Sequence, residues 1–134
     1  GPGALEGGVL SRQEIEFEVS DFAAARRFLE ALGYRVFTTY EKIRENFTLA
    51  GVQVSLDEMP FGNFTELEGP NPEAIRKLAE SLGLAWERRI AMSYLELFAR
   101  LKARLALPFD DLTFEAFRDR TIRPEDLGVQ PADG

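Results

Sequence analysis

Alternation of polar and apolar positions marks the strands of this chain, and it is clearest from Val52 to Glu68 (VQVSLDEMPFGNFTELE). At the two-residue period of a strand, Gln53, Ser55 and Asp57 share one face, and Phe64, Glu66 and Glu68 share a face of the following strand. Met59-Pro60-Phe61-Gly62 supplies the turn between them. Asp57, Glu66 and Glu68 are thereby placed to converge. Two glutamates one residue apart point the same way and repel each other, so a fold that keeps them together supplies a cation or leaves them in water. A solvated hairpin face is common in antiparallel sheets, and this stretch alone leaves that reading open.

The same period recurs upstream. From Val9 to Val19, Arg12, Glu14, Glu16 and Glu18 fall on one face and Ile15, Phe17 and Val19 on the other, which predicts a strand. Tyr34 to Leu49 is the longest extended candidate, with Lys42, Arg44 and Asn46 opposite Ile43 and Phe47, and Ala50-Gly51 turns it into the Val52 strand. Between and after these strands the period changes to that of a helix. Ser20 or Asp21 caps a helix carrying Phe22, Ala25, Leu29 and Leu32, stopped by Gly33. Asn71 and Pro72 open a second helix with Ile75, Leu78, Ala79 and Leu82, stopped by Gly83. A third runs from about Ser93 to Leu105, with Tyr94, Leu97, Phe98, Leu101 and Leu105 on its apolar side and Arg100, Lys102 and Arg104 on a solvated one. Pro108 to Arg120 is expected to hold a short helical turn with Leu112, Phe114 and Phe117 inward. Gly1 to Gly8 has the composition of a flexible turn and Pro124 to Gly134 that of a frayed tail.

The fold class is therefore α+β, an antiparallel meander with helices, in a chain whose 134 residues make one domain or part of one. A net charge of −7 argues against non-specific binding to nucleic acid or membranes, so any anion site must be local. With no cysteine the chain has no disulfide and no thiol nucleophile, which fits a reducing, cytoplasmic setting. With no histidine it has no Ser-His-Asp triad and lacks the usual zinc ligands. Carboxylates with a hard metal are the chemistry that remains. No apolar run reaches the ~20 residues of a membrane span.

Four successive strands carry charges of both signs on one face: Arg12, Glu14, Glu16 and Glu18, then Lys42 and Arg44, then Asp57, then Glu66 and Glu68. If the sheet closes with that face inward, it encloses a wet tunnel with a basic part for phosphates and an acidic part for divalent metal, and its apolar outer face needs helices to cover it. R-x-E-x-E at Arg12 to Glu16, K-x-R at Lys42 to Arg44, L-D at Leu56-Asp57 and F-G-x-F-x-E-x-E from Phe61 to Glu68 resemble the C-terminal half of the CYTH superfamily, the triphosphate tunnel metalloenzymes. Gly1-Pro2 resembles the end of that family's K-G-P segment, whereas its E-x-E-x-K signature, its first R-x-R pair and the K-G-P lysine have no counterpart here.

On that resemblance, residues 1–69 are expected to be the C-terminal half of a tunnel domain, present as a truncated chain, and 70–134 a helical extension packed on the same domain. The sheet is expected to form part of a β-tunnel with helices on its outer face. The resemblance implies that Arg12, Lys42 and Arg44 contact phosphate oxygens and that Glu66, Glu68 and Asp57 hold Mg²⁺ or Mn²⁺, with Glu14 and Glu16 as further ligands or as partners of the cations. It implies an enzyme acting on ATP, tripolyphosphate or thiamine triphosphate, by hydrolysis or by cyclisation to cyclic AMP. Ser93 to Leu97 resembles the extension of class IV adenylate cyclase-like members. The alternatives are a non-catalytic polyphosphate- or nucleotide-binding module and a structural domain with a solvated charged face. A half tunnel would also leave strand edges open to self-association.

Overall fold

A computed structural model of the protein describes residues 3–134. Gly1 and Pro2, read above as the end of a K-G-P segment, lie outside the described residues. A three-stranded antiparallel sheet forms the centre, in the order β3 (Ile43–Leu49), β4 (Val52–Met59) and β5 (Gly62–Glu68). Two tight turns set its register. Ala50 and Gly51 both adopt positive φ (50° and 75°), the backbone a two-residue hairpin turn requires, and Leu49 pairs with Val52 across them. Met59 pairs with Gly62 across the second turn, with Gly62 also at positive φ.

That register makes the two faces of the sheet chemically different. Arg44, Asn46 and Thr48 lie opposite Asp57, Ser55 and Gln53, which in turn face Phe64, Glu66 and Glu68. The other face carries Phe47, Val54 and Leu67 in one row. There α2 (Pro72–Ser81), capped by the Asn71 side chain on the Ala74 N–H at 2.8 Å, lays Leu78 and Ala74 against Val52, Val54 and Leu67. The helix thus covers only part of the outer face that the pattern predicts to be buried, because among the described residues Ile43, Phe47 and Leu56 on the same face find no helix against them and stay exposed. Helix α3 (Tyr94–Leu105) does something else: its first residue, Tyr94, reaches the polar face of the sheet, where it hydrogen-bonds Asp57 and packs on Phe64.

The larger core gathers at the Met59–Gly62 turn. Met59 and Phe61 are buried with Leu97, Phe98 and Leu101 of α3 and with Leu107, Leu112, Phe117 and Leu127 from the chain beyond it. The short turn expected within 108–120 forms over 114–119, where the Phe117 N–H donates to the Thr113 carbonyl at 3.3 Å and the Arg120 N–H to the Phe117 carbonyl at 2.9 Å; Leu112 and Phe117 point inward as expected and Phe114 is half-buried. One predicted feature changes here. The tail is not frayed: α4 (Pro124–Leu127) buries Leu127, the Ala85 N–H donates to the Ala132 carbonyl at 2.8 Å, and Arg88 donates to the Pro131 carbonyl at 2.7 Å. Side-chain anchoring and carbonyl capture fix a segment whose composition alone reads as loose.

The N-terminal third departs most from expectation. Gly1 to Gly8 is not simply a turn, because β1 (Ala4–Glu6) pairs with β2 (Val9–Ser11) in a separate hairpin. The strand expected over Val9 to Val19 stops at Ser11, and Ile15 and Phe17 are each 82% exposed. The strand expected from Tyr34 begins only at Ile43, preceded by an isolated parallel bridge between Tyr40 and Leu112. Helix α1 (Phe22–Ala31) forms with Asp21 as its cap, yet it buries no residue. The physical reason is shared: an alternating segment becomes a strand only when a neighbour accepts its ladder, and an amphipathic helix buries its stripe only against a surface. Among the described residues neither is offered, and the sheet stays open at its β3 and β5 edges.

Candidate functional site

The charged face of the sheet is organised by one guanidinium. Register places Arg44 directly opposite Asp57, and the side chains meet in a bidentate pair, Nε to Oδ1 and Nη2 to Oδ2, both at 2.6 Å. Glu66, one row further along on β5, accepts from the same Nη2 at 2.9 Å. From the start of α3 the Tyr94 hydroxyl donates to Asp57 Oδ2 at 2.5 Å. Lys42, two residues before Arg44 and on the same face, places its ammonium 5.8 Å from the Tyr94 ring centroid and 6.0 Å from that of Tyr40. Ser55 donates to Asn46 at 2.7 Å, so buried side-chain polar atoms among the described residues all have partners.

Burial sets the electrostatics of this network. The Asp57 side chain is fully buried, that of Arg44 is 26% exposed, and that of Glu66 is 46% exposed. Burial alone would raise the Asp57 pKa, but the hydrogen bonds from Arg44 and Tyr94 favour the carboxylate more strongly and hold it below its ordinary value. Burial, and then the bond to Asp57, push the Tyr94 phenol well above its usual range, so it remains a donor. The hydrogen bond to Asp57 likewise raises Arg44, which stays charged. Two sets of donors are left over. Among the described residues, Arg44 Nη1 and the Lys42 ammonium make no hydrogen bond or ion pair.

The sequence-selected residues divide into three groups. Lys42, Arg44, Asp57 and Glu66 come together, and Glu68 shares their face opposite Gln53, two rows from Asp57. Arg12, Glu14 and Glu16 are exposed in the irregular segment after β2 and are not brought to the sheet. Asp57 is engaged through both oxygens, Oδ1 by Arg44 and Oδ2 by Arg44 and Tyr94, so three of its roughly four acceptor positions are taken by these donors. No group of three or more Asp, Glu, His or Cys side chains able to hold a metal ion is gathered among the described residues. Glu66 and Glu68 offer two carboxylates, the donor number with which Mg²⁺ is often held when substrate phosphates and water complete its shell. Tyr94 is the residue that strand periodicity does not select. The Ser93-x-x-Glu96 capping box, present with both reciprocal bonds, is the signal that fixes the helix start and so puts a tyrosine in its first turn.

The fold and this face define an α+β protein built on an open antiparallel sheet, with cations and carboxylates interleaved on one side. Residues 2–99 match the family model described as the CYTH domain, and the chain belongs to that family. The match extends past residue 69 through α2 and into α3, so it takes in Tyr94. This places the protein in the triphosphate tunnel metalloenzyme superfamily, whose members generally bind triphosphates and depend on a metal. Neither a curated protein nor a solved structure matches the chain.

Proposed function

We propose that this domain binds the triphosphate group of a small molecule on the Lys42–Arg44 face, and that the whole protein turns it over with Mg²⁺ or Mn²⁺. The observation that carries this reading is the pair of uncommitted cationic donors, Lys42 Nζ and Arg44 Nη1, two residues apart where the chain enters β3, with Arg44 also paired to Glu66. Both would contact phosphate oxygens and stabilise the charge that develops there. Glu66 and Glu68 would hold the metal, which when bound supplies charge neutralisation at the phosphates. Asp57 serves the cation in this reading, since Arg44 already holds it through both oxygens. In hydrolysis water attacks the terminal phosphorus, the bridging P–O bond breaks and the diphosphate remainder leaves; in cyclisation the ribose 3′-hydroxyl attacks the α-phosphorus and pyrophosphate leaves; in each the proton of the attacking oxygen passes to solvent. ATP, tripolyphosphate and thiamine triphosphate are the candidate substrates. A cytoplasmic setting, a division at residue 69 into tunnel part and helical extension, and self-association through open strand edges belong to the same proposal.

Calorimetry with tripolyphosphate, with and without Mg²⁺, tests the binding claim. Lys42→Ala is expected to lower affinity by about tenfold or more, the equivalent of one charge-assisted phosphate contact worth about 1.5–3 kcal/mol. Glu66→Gln and Glu68→Gln are expected to raise the metal concentration required, with less change at saturating metal. No heat with tripolyphosphate under either condition would refute the reading. A non-catalytic phosphate-binding module is favoured as the second reading by the open sheet and by the lack of a three-ligand cluster among the described residues. Product analysis for phosphate, pyrophosphate and cyclic AMP separates the two.

A further inference from the structure

We propose that Tyr94 is a positioning residue of the phosphate-binding face, fixing Arg44 through Asp57 and flanking Lys42 with its ring; the inference rests on the triphosphate reading above. The geometry is asymmetric in a useful way. Asp57 holds the Nε and Nη2 edge of the guanidinium, so Nη1 is the part left to meet a ligand. Oδ2 accepts from both Arg44 and Tyr94, so the phenol is the second donor to that oxygen of a fully buried carboxylate. Removing that hydroxyl leaves Oδ2 one donor short and only the bidentate pair to hold the carboxylate, so carboxylate and guanidinium gain freedom to shift together. The second arm is the aromatic ring itself, which lies 5.8 Å from the Lys42 ammonium and narrows where that flexible side chain can go.

Tyr94 is suited to this because its own position is fixed elsewhere. The Ser93 hydroxyl accepts from the Glu96 N–H, Glu96 accepts from the Ser93 N–H, and Leu97, Phe98 and Leu101 are buried in the larger core. A site carried on a helix anchored this way is held more tightly than one on a loop. Packing alone would not need the hydroxyl, since the ring contacts Phe61 and Phe64 at centroid distances of 6.4 and 5.3 Å. The region after α3 steadies the segment leading into β3 at a second point. Thr39 N–H donates to Asp111, Leu112 N–H to the Thr39 carbonyl and Glu41 N–H to the Leu112 carbonyl, just before Lys42. The helical extension thus sets both cations, and Tyr94 is the contact through which it reaches them.

The test uses the full chain with tripolyphosphate and Mg²⁺, comparing wild type, Tyr94→Phe, Arg44→Gln and the double variant by calorimetry. Tyr94→Phe keeps the ring and is expected to weaken binding about tenfold. In the Arg44→Gln background the same change is expected to cost nothing further, because its effect runs through Arg44, whereas a general loosening would multiply with it. A second readout needs no variant. The ¹⁵N resonance of Arg44 Nε–H is expected to stay protected from exchange when tripolyphosphate is added to wild type. Loss of that protection would mean that Arg44 leaves Asp57 to take the ligand, and would overturn the inference. Wild-type affinity in Tyr94→Phe, or losses that multiply in the double variant, would overturn it while leaving the triphosphate reading intact. No binding by wild type would remove the triphosphate reading and this inference together.

Discussion

Asp57→Asn isolates the pair on which the charged face depends. The substitution keeps the shape of the side chain and removes its charge, and the amide NH₂ must then face a donor from Arg44 or Tyr94 where an oxygen now accepts. Breaking a buried ion pair from one side typically costs about 3–5 kcal/mol, because the remaining charge is stranded. Arg44 keeps a quarter of its side chain in solvent, so water relieves part of that cost and the lower end, about 3 kcal/mol, is expected. For a chain of this length that corresponds to a fall in Tm on the order of 10 °C. Glu66→Gln is the internal control. It touches the same guanidinium, but at 46% exposure solvent screens the pair and the expected loss is below about 1 kcal/mol. Urea unfolding followed by circular dichroism would measure both, with m expected to stay constant. Equal losses from the two substitutions, or a loss under 1 kcal/mol for Asp57→Asn, would refute the argument that burial makes Asp57 the dominant partner.

The lowered Asp57 pKa fixes a pH dependence: in acid the unfolded chain takes up this proton before the native state does, so the contribution is complete above about pH 4 and is lost as pH falls through the native value. Urea midpoints between pH 7 and pH 3 are expected to fall more steeply for wild type than for Asp57→Asn, and parallel curves would contradict this. The exposed alternating segment around Ile15 and Phe17, together with the open sheet edges, is expected to make the chain self-associate at micromolar concentration. Sedimentation velocity should show this, with Ile15→Lys/Phe17→Lys shifting the distribution toward monomer; a wild-type monomer across that range would rule it out.

The central sheet was legible because its turns are short. A two-residue connection leaves no freedom in pairing, so Ala50-Gly51 and Pro60-Phe61 determine by counting that Arg44 meets Asp57 and that Glu66 lies one row away. What periodicity does not contain is whether a partner exists. Arg12, Glu14 and Glu16 alternate as strictly as Gln53 to Asp57, yet nothing among the described residues offers them a ladder. Alternation also says nothing of who reaches across from another element. Tyr94 looks like one more apolar position of α3, and its role depends on the helix arriving with its first turn over the polar face. The tail was misread for a related reason, since the Arg88 side chain captures a main-chain carbonyl there, and an acceptor of that kind has no signature in residue type.

Counting charge on the polar face bears on the form of ligand that the proposed reading requires. Asp57 and Arg44 neutralise each other in the bidentate pair, which leaves Lys42 against Glu66 and Glu68, one positive charge to two negative. A bare triphosphate brought to such a face meets a net repulsion that one lysine does not overcome, even with Arg44 Nη1 available as a donor. In the proposed reading the same face would attract a triphosphate already carrying a divalent cation, with the metal side of that complex meeting Glu66 and Glu68 and its phosphate oxygens meeting Lys42 and Nη1. On that reading the carboxylates would act as a filter, weakening metal-free anions, inorganic phosphate included, and favouring the metal complex. In calorimetry this appears as tripolyphosphate binding that is much weaker in a chelator than in Mg²⁺, and as a gap that narrows when Glu66 and Glu68 are both changed to Gln. A chain that bound metal-free tripolyphosphate as tightly as its Mg²⁺ complex would show that the two glutamates belong to a solvated hairpin face and take no part in recognition.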